Sequence, residues 1–223
     1  MRERCYLMLM ELKLLSKSSY LLLLLALALL ALTHGVLELQ ATWQKHFIEN
    51  MESFLPLALA LLSTPLFMID SEQGMTELNA TLPHRSILTA RIAGVCAVGC
   101  LVFLVGTELM NIAWGPVAYW SGMLAALGPA LFLTGLAIWA TLITARVAVG
   151  YLVALGLPVA DLILRVLGAF TAVPPLQLID TFSYRWVTPA MPWWIPKLFL
   201  LAVGCILIAS AVVKSPRYWS RSL

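Results

Sequence analysis

The sequence predicts an all-α, polytopic membrane protein with six transmembrane helices. Of its 223 residues, 61% are hydrophobic and only 11% are charged, and the mean hydropathy is +0.93. Soluble domains are about half apolar and about a quarter charged. The apolar residues fall in runs near the ~20 residues that an α-helix needs to cross a ~30 Å hydrocarbon core. The runs do not alternate between apolar and polar residues, which favours helices over a transmembrane β-barrel.

Six apolar runs define the predicted spans, and we interpret residues 1–223 as one transmembrane domain. The spans cover approximately residues 20–37, 53–69, 87–109, 117–144, 147–170 and 193–213. The fourth and fifth runs are longer than a crossing requires. We therefore expect these two helices to tilt or to extend along the membrane surface.

The distribution of Lys and Arg predicts the orientation of the spans. If the N-terminus is inside, ten of the 14 basic residues fall in inner segments. The outer segments then hold Lys45, Arg165, Arg185 and Lys197. Because cytoplasmic loops carry the excess of Lys and Arg, we expect a multi-pass protein of the cell (inner) membrane with both termini cytoplasmic. The loop of residues 70–86 is then cytoplasmic.

The N-terminal segment, residues 1–19, is predicted to form an interfacial amphipathic helix on the inner leaflet. Lys13 and Lys17 lie four residues apart and would face anionic headgroups. A frayed cytosolic tail is the simpler alternative. A signal peptide is a further alternative, because the basic start precedes "LALALLALTHG", which is similar to an h-region with a small-residue cleavage site.

The segment of residues 171–192, between the fifth and sixth spans, is predicted to be an outer re-entrant or interfacial segment with short helices. Its prolines prevent a long regular helix, and its Trp and Tyr residues favour the membrane–water boundary. We favour anchoring at the interface over direct contact with a substrate. Asp161 and Arg165, spaced i,i+4 at the end of the fifth span, are expected to pair.

The motifs of membrane enzymes are missing from the sequence. There is no H-E-x-x-H zinc-protease motif. Ser121 precedes Gly122 as in rhomboid-like serine proteases, but Tyr119 occupies the position of the motif's earlier glycine. Cys96 and Cys100 share a helix face, and two thiols are too few for a closed zinc site, so we expect them to pack between helices. We expect no catalytic residue, metal or cofactor in this chain.

The sequence also lacks the features of an autonomous pump. It contains no G-x-x-x-x-G-K-[ST] motif, so ATP hydrolysis would require a partner chain. The spans lack the rows of carboxylates or arginines that form proton relays and voltage sensors, with Glu108 as the main exception.

The loop "DSEQGMTELNATLP", residues 70–83, is predicted to contain a short amphipathic helix. Met75, Leu78 and Leu82 recur at spacings of three and four and form an apolar stripe, and Pro83 ends the helix. Gly74 permits another backbone to approach closely. The stripe could lie on lipid headgroups or in a groove of another protein, and the acidic character of the loop favours the protein.

This loop resembles the first cytoplasmic loop of ABC transporter permeases, specifically the type 2 exporter class with six spans per subunit. The similar residues are Glu72, Gly74, Leu78, Leu82, Pro83 and Arg85. The architecture predicted for the rest of the chain is also similar to that class. One departure is that family members often carry a more basic segment after the Leu-Pro, where this chain has His84, Arg85 and then Arg91.

The resemblance implies a permease subunit that is not itself an enzyme and that docks a separate ABC ATP-binding subunit, on which ATP and Mg would bind. The implied docking residues, which form a coupling helix, are Glu72, Gly74, Met75, Glu77, Leu78, Leu82, Pro83 and Arg85. Two permease subunits, identical or different, would pair in the membrane lipid, and no nucleic-acid partner is expected. Scarce charge within the spans favours a hydrophobic or amphipathic substrate.

Two other classes of function stay open on the sequence alone. One is a membrane scaffold, immunity or sensor protein that transports nothing. The other, less favoured, is an intramembrane hydrolase that uses Ser121.

Overall fold

The computed structural model describes residues 40–67, 84–186 and 191–219, and within these ranges the chain forms helices and turns but no strand. The helices are α1 (Gln40–Ser63), α2 (His84–Trp114), α3 (Tyr119–Thr144), α4 (Val147–Val166), α5 (Ala169–Ala172) and α6 (Trp194–Trp219). Short 3₁₀ helices follow α1 at Thr64–Phe67 and α5 at Pro174–Ile179. The predicted all-α class is confirmed.

Within the described ranges, four helices are long and apolar enough to cross a membrane by length and composition. Their candidate spans are Ile92–Ile112 in α2, Tyr119–Thr144, Val147–Val166 and Trp194–Lys214 in α6. They correspond to the third to sixth spans predicted from the sequence. The first half of α1 carries Lys45, Glu49 and Glu52, and α1 is not among the candidates. The predicted interfacial helix (residues 1–19) and first span (residues 20–37) lie outside the described residues.

Two helix boundaries differ from the predicted ones for physical reasons. Residues 40–52, which precede the second predicted span, are helical, so α1 runs without a break from Gln40 to Ser63. The fifth span was predicted to reach residue 170, but α4 ends at Val166. Gly168 lies beyond it at φ +71°, a left-handed conformation that glycine adopts without steric cost and that turns the chain out of the helix.

Helix α3 is the centre of the bundle. It is apolar all round, and small residues let its neighbours approach it closely. At Gly128, an added Cβ would lie 2.3 Å from the backbone oxygen of Lys197, and at Gly204 of α6 it would lie 2.6 Å from the backbone of Leu131. The indole of Trp139 donates to the Leu207 carbonyl at 2.9 Å. Helices α3 and α6 therefore pack backbone to backbone and run in the same direction.

The bundle has two distinct ends. At the turn end, Ala145 and Arg146 join α3 to α4, with Ala145 in the left-handed region at φ 52°. At the loop end, α4 finishes, α6 begins and residues 173–186, here called the return segment, fold back against the helices.

Helix α1 runs parallel to α3, since Phe47 packs at Gly122 near the start of α3, and Thr64 lies beside Thr141 and Gly150.

We predict that Gly128→Ala destabilises the protein by about 1–3 kcal/mol, because the new methyl group meets rigid backbone of α6. Gly156→Ala is the matched control, since a Cβ at Gly156 would meet nothing within 4 Å. The midpoints of thermal unfolding of the two purified variants in detergent give the comparison. Equal midpoints would contradict the close packing of α3 on α6.

Candidate functional site

The most unusual feature of the described residues is an ion pair without exposure to solvent. Lys197 lies in the first turn of α6, directly after Pro196, and its Nζ is 2.5 Å from Oε1 of Glu52 on α1. Both side chains are fully buried. A buried charge costs several kcal/mol unless it is paired and hydrogen-bonded, so each of these two groups depends on the other.

Glu52 also holds the return segment. Its Oε1 accepts a hydrogen bond from the backbone N–H of Tyr184 at 2.8 Å, and its Oε2 accepts one from Arg185 at 3.1 Å. Burial raises the pKa of the Glu52 carboxyl above its usual value, while Lys197 and the two backbone donors oppose this shift. One carboxylate thus joins α1, α6 and the return segment.

Thr181 is the point at which the return segment meets α4 and α6. Its carbonyl accepts a hydrogen bond from Nζ of Lys197 at 2.5 Å. Its backbone N–H and its hydroxyl both donate to Oδ2 of Asp161 on α4, at 2.9 and 2.5 Å. Every polar group of this buried residue is therefore bonded to a charged side chain of a helix.

Arg165 pairs with Asp180, not with Asp161, so the i,i+4 pairing predicted along α4 is wrong. Asp180 also accepts the backbone N–H of Phe182 at 2.9 Å, and Arg165 donates to the carbonyl of Trp186 at 3.2 Å. The guanidinium lies 5.1 Å from the centre of the Trp186 ring, a cation–π distance. Asp161 of α4 is bonded to Thr181 of the return segment, and Asp180 of the return segment is bonded to Arg165 of α4, because the segment folds back onto the end of α4.

A second set of charges extends the network toward solvent along α1. Glu49 lies 3.0 Å from Nδ1 of His46, 3.7 Å from Nε of Arg185 and 3.8 Å from Nζ of Lys45. These pairs are partly exposed, and such pairs contribute little to the free energy of unfolding. Burial, together with the carboxylates of Glu49 and Glu52, raises the pKa of the Tyr184 phenol.

These contacts hold α1, α4, α6 and the return segment in place relative to one another. Within the described ranges, no group of three His, Cys, Asp or Glu side chains is placed to hold a metal ion. His46 contacts Glu49, and no hydrogen bond found in the described part of the chain joins it to Ser121. A hydrolase centred on Ser121 gains no support from these contacts.

An apolar cleft of about 210 Å³ lies among α1, α2, α3 and α6. Its walls include Leu59 of α1, Phe103 of α2, Met123 of α3 and Ile208 of α6. Cys96 and Cys100 were expected to pack between helices, but both thiols are exposed beside this cleft. Gly99, between them, makes the close contact instead, since a Cβ there would lie 2.8 Å from the side chain of Leu59.

Most of the predicted docking residues lie outside the described part of the chain. Seven of them lie outside the described residues: Glu72, Gly74, Met75, Glu77, Leu78, Leu82 and Pro83. Arg85 falls in the first turn of α2. The coupling helix therefore stays a prediction.

Sequence reasoning missed the pairing of Glu52 with Lys197, although a signal was present. A lysine in the first turn of an apolar helix is electrostatically unfavourable, because the helix dipole places partial positive charge there. Such a lysine implies a nearby acid. The acid could not be chosen from the sequence, since Glu52 lies 145 positions before Lys197.

The helices and their apolar surfaces indicate an all-helical, multi-pass membrane protein. The chain matches no protein-family model, no curated protein and no solved structure. Its resemblance to exporter permeases thus depends on the loop motif and on the predicted architecture.

We predict that Asp180→Asn lowers the free energy of unfolding by about 3 kcal/mol, because it leaves Arg165 without its countercharge. Asparagine can still accept the Phe182 N–H, so the variant chiefly removes charge. Lys45→Met is the control, expected to change stability by less than about 0.5 kcal/mol because Lys45 is exposed. Thermal unfolding of both variants gives the comparison, and equal losses would contradict the difference between buried and exposed pairs.

Proposed function

We propose that this chain is the membrane-spanning subunit of an ATP-driven exporter, with six spans and a separate ABC ATP-binding subunit as its partner. The observation that carries the proposal is the loop motif with Glu72, Gly74, Leu78, Leu82 and Pro83. An amphipathic loop helix with an acidic start fits a protein groove, and the chain has no P-loop of its own. ATP and Mg would bind the partner, and a second permease subunit would complete the transport path.

The proposed substrate is hydrophobic or amphipathic. The apolar cleft beside α2 supports this, because it offers few polar groups to a bound molecule. Helix α2 directly follows the proposed docking loop in sequence. Force applied to that loop would therefore reach a wall of the cleft through α2.

The charges at the two ends of the bundle support a cytoplasmic turn end. At the loop end, the cations Arg165, Arg185 and Lys197 each lie within 4 Å of a carboxylate. At the turn end, Arg146 is exposed, and Lys214 lies over the ring of Trp139 at 5.1 Å. The positive-inside rule counts Lys and Arg whether or not acids lie nearby, and ten of the 14 fall in the segments predicted to share the side of the turn end. We therefore propose that the loop end faces outward and both termini face inward.

The orientation predicts opposite labelling of two exposed positions. In a cysteine-free chain in intact cells, Ala172→Cys at the loop end should react with a membrane-impermeant maleimide. Ala145→Cys at the turn end should react only after the membrane is permeabilised. Equal labelling of both positions in intact cells would contradict the proposed topology.

The docking proposal predicts that the double variant Glu72→Ala/Leu78→Ala loses most co-purification of the ATP-binding subunit, with membrane insertion unchanged. The variant removes an acid and the centre of the apolar stripe. Gln73→Ala, in the same loop but on the face opposite the stripe by helical spacing, is the matched control and should retain the partner. Unchanged co-purification and unchanged ATP hydrolysis in the double variant would count against the proposal.

A further inference from the structure

We infer that the return segment, residues 173–186, is a gate at the loop end of the bundle that opens when the Glu52–Lys197 ion pair separates. The closed state is the one described above, with the segment seated among α1, α4 and α6. In the open state the segment withdraws and the two charges separate into water. This inference goes beyond the proposed function and does not depend on an ATPase.

The segment is held by apolar contacts, with Phe182 buried and the Tyr184 ring 5.0 Å from that of Trp193, and by polar contacts to charged side chains. Thr181 bonds Asp161 and Lys197, and the backbone N–H groups of Tyr184 and Arg185 bond Glu52. Water can replace each of these partners when the segment withdraws. Withdrawal would also expose the buried side chain of Phe182, and hydration of the polar groups offsets part of that cost.

The buried ion pair favours two discrete states over a continuous range of positions. Well-packed apolar residues in place of a buried ion pair are often as stabilising or more so, so the pair is not needed for cohesion alone. The free energy of the two charges depends steeply on geometry. They are stable when buried and paired, or when separated and hydrated. Burial of either charge without its partner is costly. Movement of α1 away from α6 therefore also releases the return segment.

The chain around the segment allows this movement. Gly168 connects α4 to α5 at φ +71°, and a Cβ at this position would meet only Thr171 Oγ1, at 3.5 Å. The turn at Gly168 thus depends on the conformation of its own backbone, and side chains of the other described elements do not pack against it. On the other side, the side chain of Arg185 is 33% exposed and Trp186 is 37% exposed, so this edge of the segment is accessible from outside the bundle.

The test uses the full chain in detergent with its four cysteines replaced by alanine and with Ser183→Cys as a reporter. Ser183 is buried, and its hydroxyl donates to the carbonyl of Trp193 at 3.0 Å, so a cysteine there should react slowly with a polar maleimide. Lys197→Met and Glu52→Gln should each raise the labelling rate at least about tenfold, because each leaves a buried charge unpaired. Lys214→Met, at the turn end, should leave the rate unchanged.

A double variant separates charge from packing. Glu52→Gln/Lys197→Met has no unpaired charge and keeps an acceptor oxygen for the return segment, so its labelling rate should fall back to within about threefold of the parent. Equal rates in the parent and both single variants would overturn the gate. A double variant that labels as fast as Lys197→Met would also overturn it, because loss of packing would then explain the effect.

Hydrogen exchange keeps the inference testable if the single variants fail to insert. In the unmodified chain, the amides of Thr181, Tyr184 and Arg185 should exchange together and faster than those in the centre of α3. Exchange as slow as that of α3 would mean that the segment does not open. The labelling and hydrogen-exchange measurements are made without the ATP-binding subunit. A negative result therefore rejects the gate and leaves the docking proposal to be tested separately.

Discussion

A lysine ammonium and a glutamate carboxylate meet in the interior where α1 passes the first turn of α6, and the rest of the loop end is organised around this contact. Neither Glu52 nor Lys197 has access to solvent. Because an unpaired charge at this depth would be costly, the position of α1 is tied to that of α6. The same two side chains also hold the return segment by hydrogen bonds. Lys197 donates to the carbonyl of Thr181, and Glu52 accepts from the backbone N–H groups of Tyr184 and Arg185.

Much of the helical architecture follows from hydropathy alone, because a run of about 20 apolar residues has few alternatives to a membrane-spanning helix. Helix α3, at Tyr119–Thr144, lies within two residues of its predicted span, and α6 begins one residue after its own. The first half of α1 was not predicted, because its polar residues look like a connector when read without their partners. Local rules also failed for Arg165, whose partner Asp180 lies across a turn and not one helical turn away.

The apolar cleft and the ion-pair network differ in how much of each can be predicted from the sequence. The apolar walls of the cleft follow from composition, but its position does not, since it depends on α2 standing apart from α3 while Gly99 packs on Leu59 of α1. The ion-pair network depends on contacts between residues more than a hundred positions apart, which one sequence does not specify. Glycines such as Gly128 are visible in the sequence, yet only the packed backbone of α6 shows why the space is needed.

The burial of Lys197 has a consequence for the biogenesis of the protein. As α6 leaves the ribosome, its lysine enters an apolar helix whose insertion free energy it makes less favourable. The acid that neutralises Lys197 belongs to α1, which is synthesised well before α6. Helix α6 therefore gains the counterion of Lys197 only when it packs against α1, which couples its final position to tertiary folding. A fragment containing α6 without α1 would lack this counterion.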